Sequence, residues 1–561
     1  MVKICPIPGK DPNSPWDRRW AAGIFALSLA IRLAHLLLIA KRSPFFSTPL
    51  LDAGEYFEQA VAIASGKNHP FTVFWHPPGY VYFLASIFRL FGTALMPPLL
   101  LQILLGAGTA VLTYRIGHLW FDARVGIIAG VGAAVYGPLV FFDTELLGVS
   151  LSVFLLLLGF ALCPAVDGQR WRWLGAGIAA GAAAVTNASL LPLALPLALA
   201  ARKHAGWVLV GLGLVVLPIT LRNYRVGGEA VLISSNGGIN LFLGNNPDYE
   251  KTIGIRPGYR WKTLVNEPYE NGVTSQGEAS RYFIRKVAAF ARTQPVHFLE
   301  IQGRKIRLFF GGDEIMRNQA IYPYRQWSAV LATLLWKVPG LAFPFGVILP
   351  LSLVGMVFGR RADVLLAACS LLFVVTIAFF VTSRYRLPIV PFLLVFAGEG
   401  LRCLWLQPGL RKAATIVLVP AFLAANIGQR AMTTQMNPDA LLTLANAEAE
   451  RGNRSRTIAL LEEAVAIDPE YAEAWSKLGT YRHDLGQLAE AEDAYQRALE
   501  LNPRSREALL SYAALKVRKG DPGAARALYR QVLRDYPGDP VAMSALEALG
   551  QAIPPGARGR P

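Results

Sequence analysis

Two pairs of carboxylates mark where this sequence can do chemistry. Asp52 and Glu55 stand in LLDAGEYFEQAVAIASG (50–66), with Tyr56 directly behind them; Asp143 and Glu145 stand in FFDTELLG (141–148). A carboxylate held at a membrane surface can act as a catalytic acid or base. Asp52 has a second reading. An Asp followed three residues later by a Glu forms a capping box, and both charges favour the positive end of the helix dipole. Asp143 and Glu145 have one as well, as plain anchors at the membrane edge. Four arginines accompany these acids: Arg222 and Arg225 in LRNYR (221–225), and Arg384 and Arg386 in SRYR (383–386). Their ordinary reading is snorkelling to lipid phosphates.

The elements that must position these residues are membrane helices. Of 561 residues, 53% are hydrophobic and 17% charged, and the mean hydropathy is +0.37. A soluble domain carries about 25% charged residues. Apolar runs of about 17–25 residues can span a bilayer. The runs at 20–40, 98–118, 124–142, 146–165, 172–189, 190–201, 206–221, 340–358, 363–382, 387–405 and 412–428 give eleven spans. The short stretch YVYFLASIFRLFG (80–92) carries Arg89 and is read as an interfacial helix. With that choice, Arg18/Arg19, Arg115/His118/Arg124, Arg170/Arg172, Arg202/Lys203/His204, Arg360/Arg361 and Arg411/Lys412 all fall on the cytoplasmic side, as the positive-inside rule requires. Both acidic pairs, SRYR and the long segment 222–339 then fall outside. The net charge of +17 is absorbed by this topology and does not call for nucleic acid. Four scattered cysteines form no disulfide framework and no metal spacing. Glu399 lies deep in a span, with Arg402 three residues on to pair with it. The N-terminus, 1–19, has no cleavable signal pattern.

Residues 222–339 are too polar to span. Turn signals (SSNGG, GNNP, RPG, NEP) and short apolar pieces predict a small mixed fold on the membrane. Residues 222–335 hold 15 Lys and Arg against 9 Asp and Glu, a net of +6 that suits anionic headgroups. The run 279–310 has the spacing of an interfacial helix. In SSNGG, Asn236 and its neighbours either hold a sugar or form turns. The end of the chain is a repeat. Pro469, Pro503 and Pro537 are 34 residues apart, as are Gly452, Gly486 and Gly520. AEAWSKLGTYRHDLGQLAEAEDAYQRALELNP (472–503) resembles a tetratricopeptide repeat, and 437–551 holds three repeats and a terminal helix, a solenoid whose groove takes a protein or peptide. The tail 552–561 is expected to be disordered.

The first 430 residues resemble the membrane GT-C glycosyltransferases, in the family-39-like branch related to protein O-mannosyltransferases and the lipid A aminoarabinose transferase. The resemblance rests on the acidic loop at 50–66, HPPGYVYFLA (76–85), LRNYRVGGEAVLISSNGGINLFLGNNP (221–247) and SRYRLPIVPFLL (383–394), in that order and on one side, over about residues 20–430. It implies a polytopic α-helical membrane protein with outer loops 41–97 and 222–339, in a bacterial inner membrane, with the active site and repeats extracytoplasmic. It implies a sugar donor on a polyprenyl phosphate and an acceptor arriving from outside. Many members have adjacent Asp-Glu in the first loop; here Ala53 and Gly54 separate Asp52 from Glu55, so Asp52 alone carries over as the catalytic carboxylate. Glu55, Asp143 and Glu145 are further catalytic candidates. Arg222, Arg225, Arg384, Arg386 and His76 are candidates for the departing phosphate, and Tyr56 and Asn236 for substrate. No metal-ligand set is apparent, and a divalent cation is left open as a cofactor. A non-catalytic scaffold that recruits envelope proteins through the repeats is the competing reading; a transporter is disfavoured by the lack of an inverted hydropathy repeat.

Overall fold

The computed structural model describes residues 17–49, 51–66, 72–163, 170–255, 258–315, 317, 320–427 and 436–550. Residues 1–16 of the expected cytoplasmic N-terminus 1–19, and the expected tail 552–561, lie outside these residues. The chain divides into two compact units, Met1–Ile255 with Val265–Thr434, and Arg256–Leu264 with Gln435–Pro561.

Unit one is a bundle of apolar helices. Arg18–Arg42, Met96–Trp120, Ser383–Leu406 and Pro408–Asn426 are long and apolar enough to cross a membrane, as is the stretch Ala188–Gly227. That stretch turns at Arg202, whose φ is 50°, so Ala194–Ala201 and Ala205–Gly227 are separate helices. Gly79–Phe91, Ala123–Val135, Val149–Ala161, Phe345–Phe358 and Asp363–Ala378 are apolar but shorter than the ~20 residues a full crossing takes. By length and composition alone, five stretches among the described residues are long enough to cross.

Several boundaries move for local reasons. The run expected at 124–142 is two helices, Ala123–Val135 and Gly137–Phe142, broken at the extended residue Tyr136 just before Gly137 and Pro138. Proline is well placed at a helix start because its missing N–H has no partner there anyway. The start of the expected 340–358 run is instead a hairpin, Trp336–Val338 paired antiparallel with Leu341–Phe343. Among the described residues of 222–339, short helices joined by turns run to Leu334, and the strand Trp336–Val338 closes the segment. Gln276–Thr293 is capped by Ser275, whose hydroxyl accepts the Glu278 amide. The run 279–310, read as having the spacing of an interfacial helix, is carried by two helices that meet at Gln294, where Pro295 opens Pro295–Phe310.

Unit two is three helix pairs and a last helix: Pro438–Glu450 with Arg454–Ile467, Ala472–Asp484 with Leu488–Leu501, Arg506–Arg518 with Pro522–Asp535, then Pro540–Ala548. Gly452, Gly486 and Gly520 sit at φ of 79°, 79° and 78°, the left-handed turn between the helices of each pair, which an L side chain resists. Ala464, Ala498 and Val532, one repeat apart, are fully buried. A Cβ on Gly479 would lie 2.8 Å from the Tyr495 ring, so this glycine is what lets the two helices of the second repeat close.

Candidate active site

Asp52 is the first residue of helix Asp52–Ala64, not its cap. Leu51 holds the cap position with φ 54°, and no side chain caps that end. The expected capping box is not formed. The carboxylate turns away from the backbone to a distant segment: Asp52 Oδ2 accepts from Arg384 Nη1 at 2.6 Å. Arg384 is presented by a short helix whose start is fixed by Thr382, its hydroxyl accepting the Tyr385 amide. Burial pushes the Asp52 carboxyl up, but Arg384, with His76 and Arg317 nearby, outweighs it and holds the group below its ordinary range.

One turn on, Glu55 reaches His76 Nε2 at 3.3 Å and accepts from Gln59. His76 Nδ1 lies 3.2 Å from Asn236 Nδ2. The Ser234 hydroxyl donates to Asn236 Oδ1, which orients the amide so that its NH2 donates to Nδ1. On that assignment the imidazole proton is on Nε2, donating to Glu55. Backbone bonds from Ser235 N to Phe74 O and Asn236 N to Trp75 O pin these segments together. Tyr56 packs edge-on against both His76 and Tyr80, with centroids 5.6 and 5.5 Å apart. Arg222 belongs to the same region: it donates to Thr72 O at 2.6 Å and lies 4.0 Å over the Phe74 ring. Arg225 is exposed on the same helix.

The second acidic loop is tied to this region through one glutamine. The Tyr80 hydroxyl donates to Gln102 Oε1, and Gln102 Nε2 donates to the carbonyls of Asp143 and Glu145. The two acids then part. Asp143 is buried and paired with Arg32 at 2.6 Å, and Arg32 also donates to Ser28 and to the Ala134 carbonyl. Gly106 makes this closeness possible, since a Cβ there would lie 2.0 Å from Asp143 Oδ2. Glu145 is half-buried, and its carboxylate has no hydrogen-bond or ion-pair partner among the described residues. Burial pushes it up to about 8.

That shift has a sign that can be measured. Folded protein keeps the Glu145 proton to about pH 8, whereas an ordinary Glu releases it near 4.5. The folded state thus binds the extra proton between those values, and stability should fall as pH rises through that window and level off above it. Glu145→Gln cannot ionise. Its melting midpoint is expected to fall less with pH over this window than the parent's; equal slopes would mean that Glu145 ionises in the folded protein as freely as in solvent.

Arg386 is placed differently from Arg384. It is 1% exposed, donates to the carbonyls of Phe309, Gly311 and Asp313, pairs with Glu314 at 3.2 Å, and lies 3.7 Å over the Phe345 ring. All of these partners are internal, so it ties the outer segment to the bundle and presents nothing to a ligand. Beside the Asp52–Arg384 pair a cleft is lined by Phe142, Ile315, Arg317, Thr382, Ser383, Arg384 and Tyr385. Glu399 is bound by both Arg402 and Arg360, and Arg360 also meets Asp122. Among the described residues, no group of three or more His, Cys, Asp or Glu side chains could hold a metal ion. Arg32, Gln102, Arg317 and Ser383 were missed from sequence. Arg32 and Gln102 carried a signal, since polar side chains inside apolar runs are expensive and seek specific partners; Ser383 and Arg317 carried none.

The comparisons agree with this division of the chain. Residues 75–220 match the dolichyl-phosphate-mannose-protein mannosyltransferase family model, and residues 429–552 match the TPR domain of cytochrome c-type biogenesis protein H. A TPR repeat-containing protein of Rhizobium etli is 25% identical over 113 residues, 20% of this chain and 55% of that protein, so the chain spans about half the length of the curated relative it matches. Among solved structures, ArnT from Cupriavidus metallidurans bound to undecaprenyl phosphate is 14% identical, with 95% of this chain and 78% of that chain covered and a TM-score of 0.40. The oligosaccharyltransferase AglB from Archaeoglobus fulgidus, in complex with an inhibitory peptide and a dolichol-phosphate, is 13% identical, with 79% and 60% covered and a TM-score of 0.37. Residues 75–220 are thus similar to a mannosyltransferase family model, and residues 429–552 to a TPR domain model.

Proposed function

We propose that this protein is a multi-pass GT-C-type glycosyltransferase that moves a sugar from a polyprenyl-phosphate donor to an acceptor on the extracytoplasmic side of a bacterial inner membrane. The observation that carries the reading is the meeting of Asp52 with Arg384, 332 positions apart, next to the Glu55–His76–Asn236 chain. A sugar transfer of this kind needs a carboxylate to take the acceptor hydroxyl's proton and cations to hold the departing phosphate. Asp52 is the proposed base and Arg384 the proposed phosphate partner. Arg222 and Arg225 are further cations for the lipid phosphate, while Tyr56 and Asn236 border the sugar. Glu145, half-buried and unpaired, is the second candidate carboxylate.

The eleven-span topology with 80–92 at the interface belongs to this reading, with the repeats outside and their groove taking a protein partner or the acceptor. Cysteines introduced near 52 and near 480 should then be labelled from the same, non-cytoplasmic side; labelling from opposite sides contradicts the topology. The activity is tested with purified protein and a panel of polyprenyl-phosphate sugars. Cleavage of at least one lipid-linked sugar is expected, and a folded protein that cleaves none is a scaffold for the repeats.

A further inference from the structure

By position in the chain, residues 258–264 (GYRWKTL) belong to the outer segment 222–339; by contact they belong to the repeats, in the unit that joins Arg256–Leu264 to Gln435–Pro561. They carry Arg260 and Lys262 and no acid. The surface that meets them is acidic. The Arg260 guanidinium pairs with Glu470. The Glu473 carboxylate accepts from the Tyr259 amide and has Lys262 and Asp439 beside it. Tyr259 is the first residue of the helix Tyr259–Glu270, so Glu473 places a negative charge at the positive end of that helix's dipole. Gly258 makes the approach possible: its φ is 146°, and a Cβ there would lie 2.8 Å from Glu473 Oε1.

This acidity is periodic. Asp439, Glu473 and Glu507 are 34 residues apart, each the second residue of the first helix in its pair. A solenoid brings equivalent residues of successive repeats to one side. Glu507 is taken by Lys477 of the second pair, whereas Asp439 and Glu473 stand at the segment. One turn beyond Glu473 on the same helix, Ser476 is 3% exposed, and its hydroxyl has no hydrogen-bond partner among the described residues. The seated segment thus leaves a buried polar group unsatisfied, which costs stability. Its ion pair is half exposed, and such pairs hold weakly. We infer that this face of the first two repeats is a docking site for a basic peptide segment that opens a helix, and that residues 258–264 cover it in cis until a partner protein presenting such a segment displaces them. The inference rests on the reading of the repeats as a protein-binding solenoid and names the chemistry of what they bind. Because 258–264 is continuous with the outer segment, a partner that takes this face also frees that part of the chain from the repeats.

The test measures binding of a labelled peptide, GYRWKTLVN (residues 258–266), to the full-length protein in phosphatidylcholine nanodiscs. In the parent the segment in cis competes, so the apparent affinity is reduced by the fraction of faces left open. Arg260→Glu combined with Lys262→Glu reverses the charge of the segment in cis, and this protein is expected to bind the peptide about 10-fold more tightly than the parent. Adding Glu470→Gln and Glu473→Gln to it is expected to weaken binding about 10-fold or more, because the charge-assisted contacts are lost. The peptide with Glu in place of its Arg and Lys is expected not to bind. A reversed-charge protein that melts like the parent and binds the peptide no more tightly overturns the inference, as does binding that ignores the loss of Glu470 and Glu473. If the reversed-charge protein does not fold, the parent decides. Equal binding of the native and reversed-charge peptides then overturns the inference, and binding of the native peptide alone, weakened by Glu473→Gln, supports it. Sugar transfer enters none of these measurements. A protein that binds the peptide as expected and cleaves no lipid-linked sugar keeps the docking site and loses the transfer reading; one that transfers sugar and ignores the peptide loses the docking site alone.

Discussion

Asp52→Asn is expected to reduce sugar transfer by about 10²–10⁴-fold, the usual contribution of a general base. The substitution is nearly isosteric, and Asp52 is not the residue at the cap position of its helix. What it removes is the charge opposite Arg384. Breaking a fully buried pair costs about 3–5 kcal/mol. Here the two side chains are 22% and 17% exposed, so solvent softens that cost and the variant should fold. Glu55→Gln is the control. Gln can still accept from His76 Nε2, so most of the activity should remain. A folded Asp52→Asn protein that transfers at near the parent rate would move the base role to Glu145, whose carboxylate has no partner among the described residues.

Arg386→Gln is expected to have the largest effect on stability, a loss of about 3–5 kcal/mol. Arg386 is fully enclosed, and removing its charge strands Glu314 and three carbonyls that it satisfies. The same change at Arg384, at the cleft, should act on donor binding instead. Thermal unfolding in detergent, beside donor-lipid binding, separates the two. An Arg386→Gln protein that melts like the parent but binds donor lipid poorly would return Arg386 to the phosphate site.

These two arginines show where sequence reading succeeds and where it stops. SRYR was legible as a basic motif at a span end, because charge against the positive-inside trend stands out. Which arginine lines the cleft and which is locked inside depends on Asp52 and on the carbonyls of Phe309, Gly311 and Asp313, more than 70 positions away. The capping box at Asp52 failed for the same reason. The local pattern was correct, but a guanidinium from a distant segment is a stronger partner for a carboxylate than a backbone N–H, and tertiary structure prevailed. The repeats were legible almost residue by residue, since a 34-residue period encodes contacts between near neighbours in sequence. Asp143 and Glu145 looked alike in sequence and part in the fold, because Arg32 pairs with one and not with the other. The long outer segment holds more helix than expected because its turn residues were taken as loops. One of them, NEP (266–268), lies inside the helix Tyr259–Glu270.

The central claim, that this chain transfers sugar from a lipid phosphate, is tested most directly by a mass balance on one turnover reaction. Purified protein in nanodiscs is given a polyprenyl-phosphate sugar that it cleaves, together with a candidate acceptor, and both products are quantified by mass spectrometry. The account predicts one polyprenyl phosphate released for each sugar covalently joined to the acceptor, with both products near background for Asp52→Asn. No release of polyprenyl phosphate by folded parent protein from any donor offered, or release from Asp52→Asn at the parent rate, would contradict it.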